Sequence, residues 1–199
     1  MDTPNTIDGF VGALIGLMDA LGVAKFSLVG HSMGGSIAQQ MALDHSDRLE
    51  RVVFYGASSI GEIPGRFETI VDSIEQLQNV RIGDTAKRFA RSWFLHGDSA
   101  PAFDFCLQAG KGATVEGATN ALEAVRGWSA DDRLSEIKPP ALVICGDGDR
   151  GTPPQRSMRL FEGLPNARLA ILPGAAHNLH LERTELFNQV LGDFLTGGY

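Results

Sequence analysis

The sequence predicts an α/β fold in which a parallel sheet of about four strands is flanked by helices. Four short apolar segments are each followed directly by glycine or proline, which is typical of buried strands. Segments with the apolar periodicity of a helix alternate with them, and this alternation favours a parallel sheet. Because the strands lack alternating polar residues, we expect helices to cover both faces of the sheet.

The predicted elements follow one another in a simple order. Apolar residues from Ile7 to Leu21 recur at helical spacing, with Thr6 as a candidate N-cap and Gly22 as a candidate stop. The remaining elements are a strand over 26–29, a helix over Met33–Asp44, strands over 51–55, 141–145 and 168–172, and a last helix over 182–195. A chain of 199 residues is long enough for one domain with a modest insertion.

The stretch 62–138 differs from the rest of the chain because it shows no strand pattern. We interpret it as a helical cap inserted between two strands, so that the α/β core comprises residues 1–61 and 139–199. The stretch is rich in aromatic residues, which indicates an apolar pocket beneath it. Four of its arginines either lie in solvent or include one that binds a substrate carboxylate, and they are Arg66, Arg81, Arg88 and Arg91.

The charge and cysteine content exclude several classes of protein. The chain carries 17 Lys and Arg against 24 Asp and Glu, a net charge of −7, which predicts no general affinity for nucleic acid or an anionic membrane. Cys106 and Cys145 are too few for a disulfide framework. The apolar stretch from Phe10 to Leu21 lacks the basic flank of a signal peptide. It also contains Asp19, so it is not an uninterrupted apolar segment that could span a membrane. We therefore expect a cytoplasmic protein.

The most informative motif is G-H-S-M-G-G at residues 30–35, at the junction of a predicted strand and a predicted helix. A serine on such a sharp turn exposes its hydroxyl at the carboxyl end of the sheet, as in the nucleophile elbow G-x-S-x-G. We expect side chains at positions 30 and 34 to clash with the strand and helix. The Met33 N–H, at the helix start, would face a developing oxyanion. Taken alone, the motif also fits a glycine-rich turn with a bystander serine.

Two more polar side chains follow predicted strands. Asp149 comes shortly after the strand over 141–145, and His177 comes shortly after the strand over 168–172. Both therefore lie at the carboxyl end of a parallel sheet, the end that also carries Ser32. A serine hydroxyl needs an adjacent base that a third group orients, and Ser, Asp, His is a known chain order of such a triad. Asp147 is the competing acid.

Through the motifs G-H-S-M-G-G, G-D-G-D-x-x-T-P and P-G-x-x-H-x-x-x-x-E, the sequence resembles the α/β-hydrolase family over most of residues 6–61 and 134–196. The resemblance implies Ser32 as nucleophile, Asp149 as the group that orients the base, and His177 as general base and acid. It further implies an esterase-like or lactonase-like hydrolase of a carboxylic ester, thioester or lactone. Its partner would be a small-molecule substrate, and it would need no cofactor.

Two other kinds of site weigh less. The ligand count argues against a metal site on His177, His180 and Glu182, because the three lie on one loop without a further Cys or His cluster, so we expect no metal. The glycines at 146, 148 and 151 match a dinucleotide fingerprint formally. However, two aspartates between them would place negative charge beside a pyrophosphate, and prolines follow the third glycine.

The start of the sequence raises a further expectation. Only residues 1–25 precede the first predicted strand, and no H-G pair occurs upstream of residue 30, where the family places its second oxyanion donor. We expect an N-terminally incomplete sheet whose strand over 26–29 leaves an unpaired apolar edge. We favour a fragment of a longer hydrolase over a natural short form that pairs this edge as a homodimer. The alternative function is a non-catalytic or weakly active relative that binds a ligand.

Overall fold

The computed structural model describes residues 4–198, and its sheet has four parallel strands in the order β1-β2-β3-β4. The strands are β1 (Phe26–His31), β2 (Leu49–Tyr55), β3 (Ala141–Gly146) and β4 (Ala167–Leu172). The four predicted strands are confirmed, each one or two residues longer than expected. At β1 and β3 the extra length arises because the parallel ladder continues through Gly30 and Gly146, which pair with neighbouring strands.

Helices connect and surround the strands. They are α1 (Ile7–Ala20), α2 (Met33–Asp44), α3 (Ile70–Asn79), α4 (Ile82–Ser92), α5 (Phe103–Lys111), α6 (Val115–Val125), α7 (Pro154–Gly163), α8 (Leu179–Glu182) and α9 (Thr184–Thr196). The hydroxyl of Thr6 accepts a hydrogen bond from the Gly9 N–H at 3.1 Å, which confirms the predicted N-cap. The helix predicted over 182–195 corresponds to α9, and the short α8, which was not predicted, precedes it with Arg183 between the two. The helix α7 was not predicted, although Pro154 at its first position is a favourable start.

The sheet separates two apolar layers because successive residues of a strand point to opposite faces. On one face Val52 and Phe54 pack with side chains of α1, α2 and α7. On the other face Val53 and Tyr55 pack with side chains of α9. Helices therefore lie on both faces, as the apolar strands predicted, and the layers hold the carboxyl ends of the strands in one row.

The outer strand β1 has an open edge. Within residues 4–198 it pairs with β2 alone, as expected from the order of the elements. Val29 lies in register with Val53 and is 41% exposed, so the α9 layer does not extend fully over this end of the sheet. Association of two copies through this edge stays a prediction. In the part of the chain that the structure describes, no helix has the length and apolar character needed to span a membrane.

The segment between β2 and β3 contains α3, α4, α5 and α6. Its two ends are joined by an antiparallel bridge between Ile60 and Ser129, and the Ala130 N–H donates to the Ser59 carbonyl at 2.8 Å. Part of the segment has its own apolar cluster, centred on the fully buried Phe94. The segment leaves the sheet at the carboxyl end of β2 and therefore lies beside the predicted site.

Candidate active site

Ser32 lies between β1 and α2 in a strained backbone conformation. Its φ is 55° and its ψ is −121°, and it is the only residue other than glycine with a positive φ among residues 4–198. Its N–H donates to the Tyr55 carbonyl at 2.9 Å, and its carbonyl accepts from the Gly35 N–H at 2.8 Å. Backbone strain of this kind persists where the surrounding structure fixes it, and it is often found at functional sites. The turn thus presents the Ser32 side chain at the carboxyl end of the sheet.

Two glycines make this turn possible, and one of them is not the one expected. A Cβ at Gly30 would overlap the Gly34 carbonyl and lie 2.8 Å from the Ala38 Cβ, so the predicted clash at position 30 is correct. The predicted clash at Gly34 is wrong, because no described atom beyond its own helix turn lies within 4 Å of a Cβ there. Instead, a Cβ at Gly35 would overlap the Ala57 side chain. The close approach of α2 to the sheet is therefore at Gly35.

Asp149 and His177 form a buried hydrogen-bonded pair. The Nδ1 of His177 lies 2.8 Å from one carboxylate oxygen of Asp149, and both residues are less than 5% exposed. The other carboxylate oxygen accepts from the N–H groups of Gly151 and Thr152, each at 2.8 Å. Because a carboxylate only accepts, Nδ1 carries the hydrogen, and Nε2 is the nitrogen left to take up a proton.

Asp147, the competing acid, has a different role. Its carboxylate accepts from the N–H groups of Gly174 and Ala175, at 2.9 and 3.4 Å, in the loop that leads to His177. Glu182 holds the same loop from the other side. Its carboxylate accepts from the Ala176 N–H at 2.6 Å and from the Leu95 N–H at 2.7 Å. These bonds place His177 relative to β3 and to the segment after α4.

Three neutral side chains pack behind His177. The Nε2 of His31 and the hydroxyl of Tyr55 lie 3.0 and 2.8 Å from the His177 carbonyl oxygen, and the Tyr55 hydroxyl is also 2.8 Å from Nδ1 of His180. Burial, together with His177 and His180, lowers the pKa of His31 to about 2. Burial also lowers the pKa of His180 and raises the pKa of Tyr55. His31 is therefore neutral, and its Nε2 interacts with a backbone carbonyl. Both features are expected for a packing residue rather than a second base.

A cavity of about 280 Å³ joins the serine to the histidine. Ser32, Met33 and His177 lie on its wall, together with Gly151 and Thr152 of the Asp149 loop. The structure has no hydrogen bond between the Ser32 hydroxyl and the His177 ring among the described residues, although both face one space. Catalytic hydrogen bonds are often long without substrate and tighten once it binds.

The N-terminus of α2 supplies a donor to this cavity. Met33 is the first residue of α2, so its N–H has no acceptor within the helix. The same end of the helix carries partial positive charge, which favours an anion. This is the position in which the predicted oxyanion donor is needed.

The opposite wall of the cavity comes from the segment between β2 and β3 and is largely apolar. It consists of Ile60, Gly61, Ile63, Arg66, Phe67, Ile70, Phe89, Trp93, Ala121, Leu122 and Val125. The Phe67 and Phe89 rings meet edge to face at 5.4 Å, and Phe89 meets Trp93 at 6.1 Å. Of the four arginines singled out in the sequence, Arg66 is the one on this wall.

The residues considered for a metal or a dinucleotide have other contacts. Throughout residues 4–198 no three His, Cys, Asp or Glu side chains come close enough together to hold a metal ion. Glycines of the candidate dinucleotide fingerprint pack against the His177 loop: a Cβ at Gly146 would lie 2.5 Å from the Ala176 carbonyl oxygen, and one at Gly148 would lie 3.3 Å from that of Ala175. Contact between two loops accounts for these glycines.

Comparison with known proteins agrees with this geometry. The profile of the alpha/beta hydrolase fold matches residues 6–184. The chain belongs to the α/β-hydrolase fold family. It is 29% identical to a 2-hydroxy-6-oxo-6-phenylhexa-2,4-dienoate hydrolase from Burkholderia cepacia, over 94% of this chain and 68% of that protein. It is 32% identical to a 2-hydroxy-6-oxononadienedioate/2-hydroxy-6-oxononatrienedioate hydrolase from Paraburkholderia phymatum, over 92% of this chain and 66% of that protein.

Solved structures of the α/β-hydrolase fold superpose closely on the chain. An enol-lactonase from Burkholderia xenovorans LB400 matches with a TM-score of 0.90 and 29% identity, over 98% of this chain and 75% of that structure. The chain thus spans about two thirds to three quarters of the length of these α/β-hydrolase relatives. The fold class predicted from the alternating elements and the three motifs is confirmed.

Several residues that shape this α/β-hydrolase site escaped sequence analysis. Tyr55 reads as an ordinary strand residue, yet its hydroxyl holds the His177 loop. Gly56 has a φ of 51°, and a Cβ there would lie 3.2 Å from Nδ1 of His177. The one signal available was position, since Tyr55 ends β2 and Gly56 follows it, at the same edge of the sheet as Ser32.

Proposed function

We propose that the chain is a serine hydrolase that cleaves a carboxylic ester, thioester or lactone through an acyl-enzyme on Ser32. The observation that carries the proposal is the buried pair of His177 and Asp149, which faces the same cavity as the strained turn of Ser32. A binding protein would have no need for a buried, oriented imidazole and a serine hydroxyl on the wall of one cavity. A hydrolase needs both.

In the proposed reaction, Nε2 of His177 accepts the proton of the Ser32 hydroxyl while Oγ attacks the carbonyl carbon. The tetrahedral oxyanion that forms is stabilised by the Met33 N–H. Collapse of this intermediate breaks the bond to the leaving oxygen or sulfur, which takes the proton from His177. Water, deprotonated by the same nitrogen, then attacks the acyl-enzyme. The second intermediate breaks the bond between the acyl carbon and the Ser32 Oγ, which takes the proton back from His177 as the acid leaves. Asp149 stabilises the imidazolium formed in each half of the reaction.

The relatives support hydrolysis in general, and one of them supports an ester-type bond. The enol-lactonase that superposes at a TM-score of 0.90 is named for opening a lactone. The two relatives by sequence are hydrolases as well. The proposed substrate is a small molecule, because the cavity has a volume of about 280 Å³ and its outer wall is mostly apolar.

One observation favours the alternative, a weakly active relative that binds a ligand. Met33 supplies one oxyanion donor, whereas hydrolysis of this kind normally uses two. Loss of one donor costs roughly 10²–10³ in rate. On this alternative the chain would bind an ester without turning it over.

Labelling with a fluorophosphonate probe separates the two functions. We expect the probe to modify the wild-type chain. Ser32→Ala should abolish the label and lower the rate of 4-nitrophenyl butyrate hydrolysis at least 10⁴-fold. Ser36→Ala is the matched control, since its hydroxyl also lies on the cavity wall but one turn further into α2. A label that persists in Ser32→Ala would contradict the assignment, and its loss in Ser36→Ala would identify Ser36 as the reactive serine instead. A chain that binds but never reacts would be the ligand-binding relative.

A further inference from the structure

Arg66 places a guanidinium on the wall of the cavity that contains Ser32. The remaining side chains that residues 60–125 contribute to this wall are apolar or aromatic. Apart from His177, no other side chain among the described lining residues is ionisable. The cavity therefore combines a reactive end, at Ser32 and His177, with one fixed positive charge on the opposite wall.

The contacts of Arg66 leave part of its guanidinium available. Nη1 donates to the Glu68 carbonyl at 2.7 Å and to the Ser73 hydroxyl at 3.2 Å. The group also lies over the Phe67 ring, 4.9 Å from its centroid, which limits its movement. In the described part of the chain, Nε and Nη2 have no acceptor, so two donors of the planar group are free to bind a ligand.

The charge around Arg66 is not balanced by protein groups. The Glu68 carboxylate pairs with Arg88 and accepts from the Ser73 hydroxyl, so its contacts are with groups other than the Arg66 guanidinium. Within residues 4–198 no carboxylate oxygen lies within 4.0 Å of the Arg66 guanidinium. Burial, and secondarily the nearby Arg88, lower the pKa of Arg66, which shows that the surroundings disfavour its positive charge. A partly desolvated cation without a counter-ion is costly, and an anion in the cavity would remove that cost.

We propose that Arg66 binds a carboxylate of the substrate, so that the preferred substrates are esters or lactones that also carry a carboxylate group. The carboxylate would accept from the free Nε and Nη2 in the two-bond geometry that arginine favours. The apolar wall would contact the chain between the carboxylate and the ester. This inference rests on the proposed function of the same cavity and specifies its substrate class.

The test compares two esters of equal acyl length, 4-nitrophenyl hydrogen glutarate and neutral 4-nitrophenyl pentanoate. We expect wild-type kcat/KM to be at least tenfold higher for the glutarate ester, as a charge-assisted hydrogen bond would give. Arg66→Gln should bring this ratio to one or below. Arg81→Gln is the matched control, because that arginine lies on the same segment with a side chain 89% exposed, and it should keep the wild-type ratio. Equal ratios in wild type and Arg66→Gln would overturn the inference.

A binding measurement keeps the inference testable without turnover. Hexanoate and hexanamide are titrated into the protein while its tryptophan fluorescence is recorded. Of the two tryptophans, Trp93 lies in the cavity wall and Trp128 does not line it, so a change on binding is expected from Trp93. We expect hexanoate to bind at least tenfold tighter than hexanamide, and only Arg66→Gln to abolish the difference. Should the chain hydrolyse neither ester yet show this difference, the proposed hydrolysis fails while anion binding by Arg66 stands. Equal binding of the two compounds would overturn anion binding by Arg66.

Discussion

The two sides of the cavity are held in different ways. The sheet side, formed by Ser32, Asp149 and His177, is fixed by backbone hydrogen bonds and by glycines that admit no larger side chain. The cap side, formed by residues of the segment 60–125, is fixed by ring contacts and by the Arg66 contacts. We therefore expect the proposed chemistry of the cavity to depend on backbone geometry and its selectivity to depend on side-chain packing.

This difference has a physical consequence for substitution. A side chain on the sheet side has several fixed partners, so a change there leaves buried polar groups unpaired or moves the backbone. A ring on the cap side can be exchanged for another apolar group with loss of contact area alone. Substitutions on the sheet side should therefore change kcat, and substitutions on the cap side should change KM.

The largest expected effect is that of Asp149→Asn. The amide can no longer hold His177 in the tautomer with hydrogen on Nδ1, so kcat for 4-nitrophenyl butyrate should fall by about 10⁴-fold while KM changes little. Asp147→Asn is the matched control, because an amide oxygen can still accept from the Gly174 N–H. The distinction between the two acids is wrong if Asp147→Asn costs as much activity as Asp149→Asn, as measured by steady-state kinetics.

The sheet side was also the part that the sequence predicts well. Its strands and its three polar residues are local signals: apolar runs ended by glycine, and a fixed order of Ser, Asp and His at the carboxyl ends of strands. The clash expected at Gly34 was wrong because it depends on how closely α2 approaches Ala57, which is a property of packing. Sequence periodicity does not specify that distance.

The cap side shows why the rest could not be predicted. Four arginines in one stretch look alike in the sequence, and the contacts that separate Arg66 from the others arise from the packing of α3 and α4. In the same way, Tyr55 acquires its role from His177, which is 122 positions away in the chain. Contacts between distant segments carry no local pattern.

The next effect in size is the pH dependence of the free energy of unfolding, which tests whether the layer of His31, Tyr55 and His180 behind His177 excludes water. The unfolded chain protonates His31 near its ordinary pKa of 6.5, whereas the folded chain resists protonation until about pH 2. The unfolded state therefore binds more protons in acid, and His31 lowers the free energy of unfolding as the pH falls below 6.5. Between pH 6.5 and pH 5 the loss should be about 2 kcal/mol.

Urea unfolding at pH 7, 6 and 5 measures this loss. His31→Gln removes the titrating group and should flatten the dependence on pH by that amount, leaving the smaller contribution of His180 in the same direction. His96→Gln, at an exposed position of the cap side, should keep the wild-type dependence. Identical slopes for wild type and His31→Gln would show that the layer behind His177 is open to water.

The smallest expected effect lies on the cap side. Phe89→Leu replaces a ring that contacts Phe67 and Trp93 on the cavity wall with a smaller aliphatic side chain. We expect the apolar wall to contact the bound ester and its transition state equally. The loss of contact area should therefore raise KM for 4-nitrophenyl pentanoate about two- to tenfold and leave kcat unchanged. Phe105→Leu makes the same chemical change on α5 at a side chain that is 71% exposed and should alter neither constant. If Phe89→Leu instead lowers kcat and leaves KM as it is, the cap side positions the reacting carbonyl, and the division of roles between the two sides does not hold.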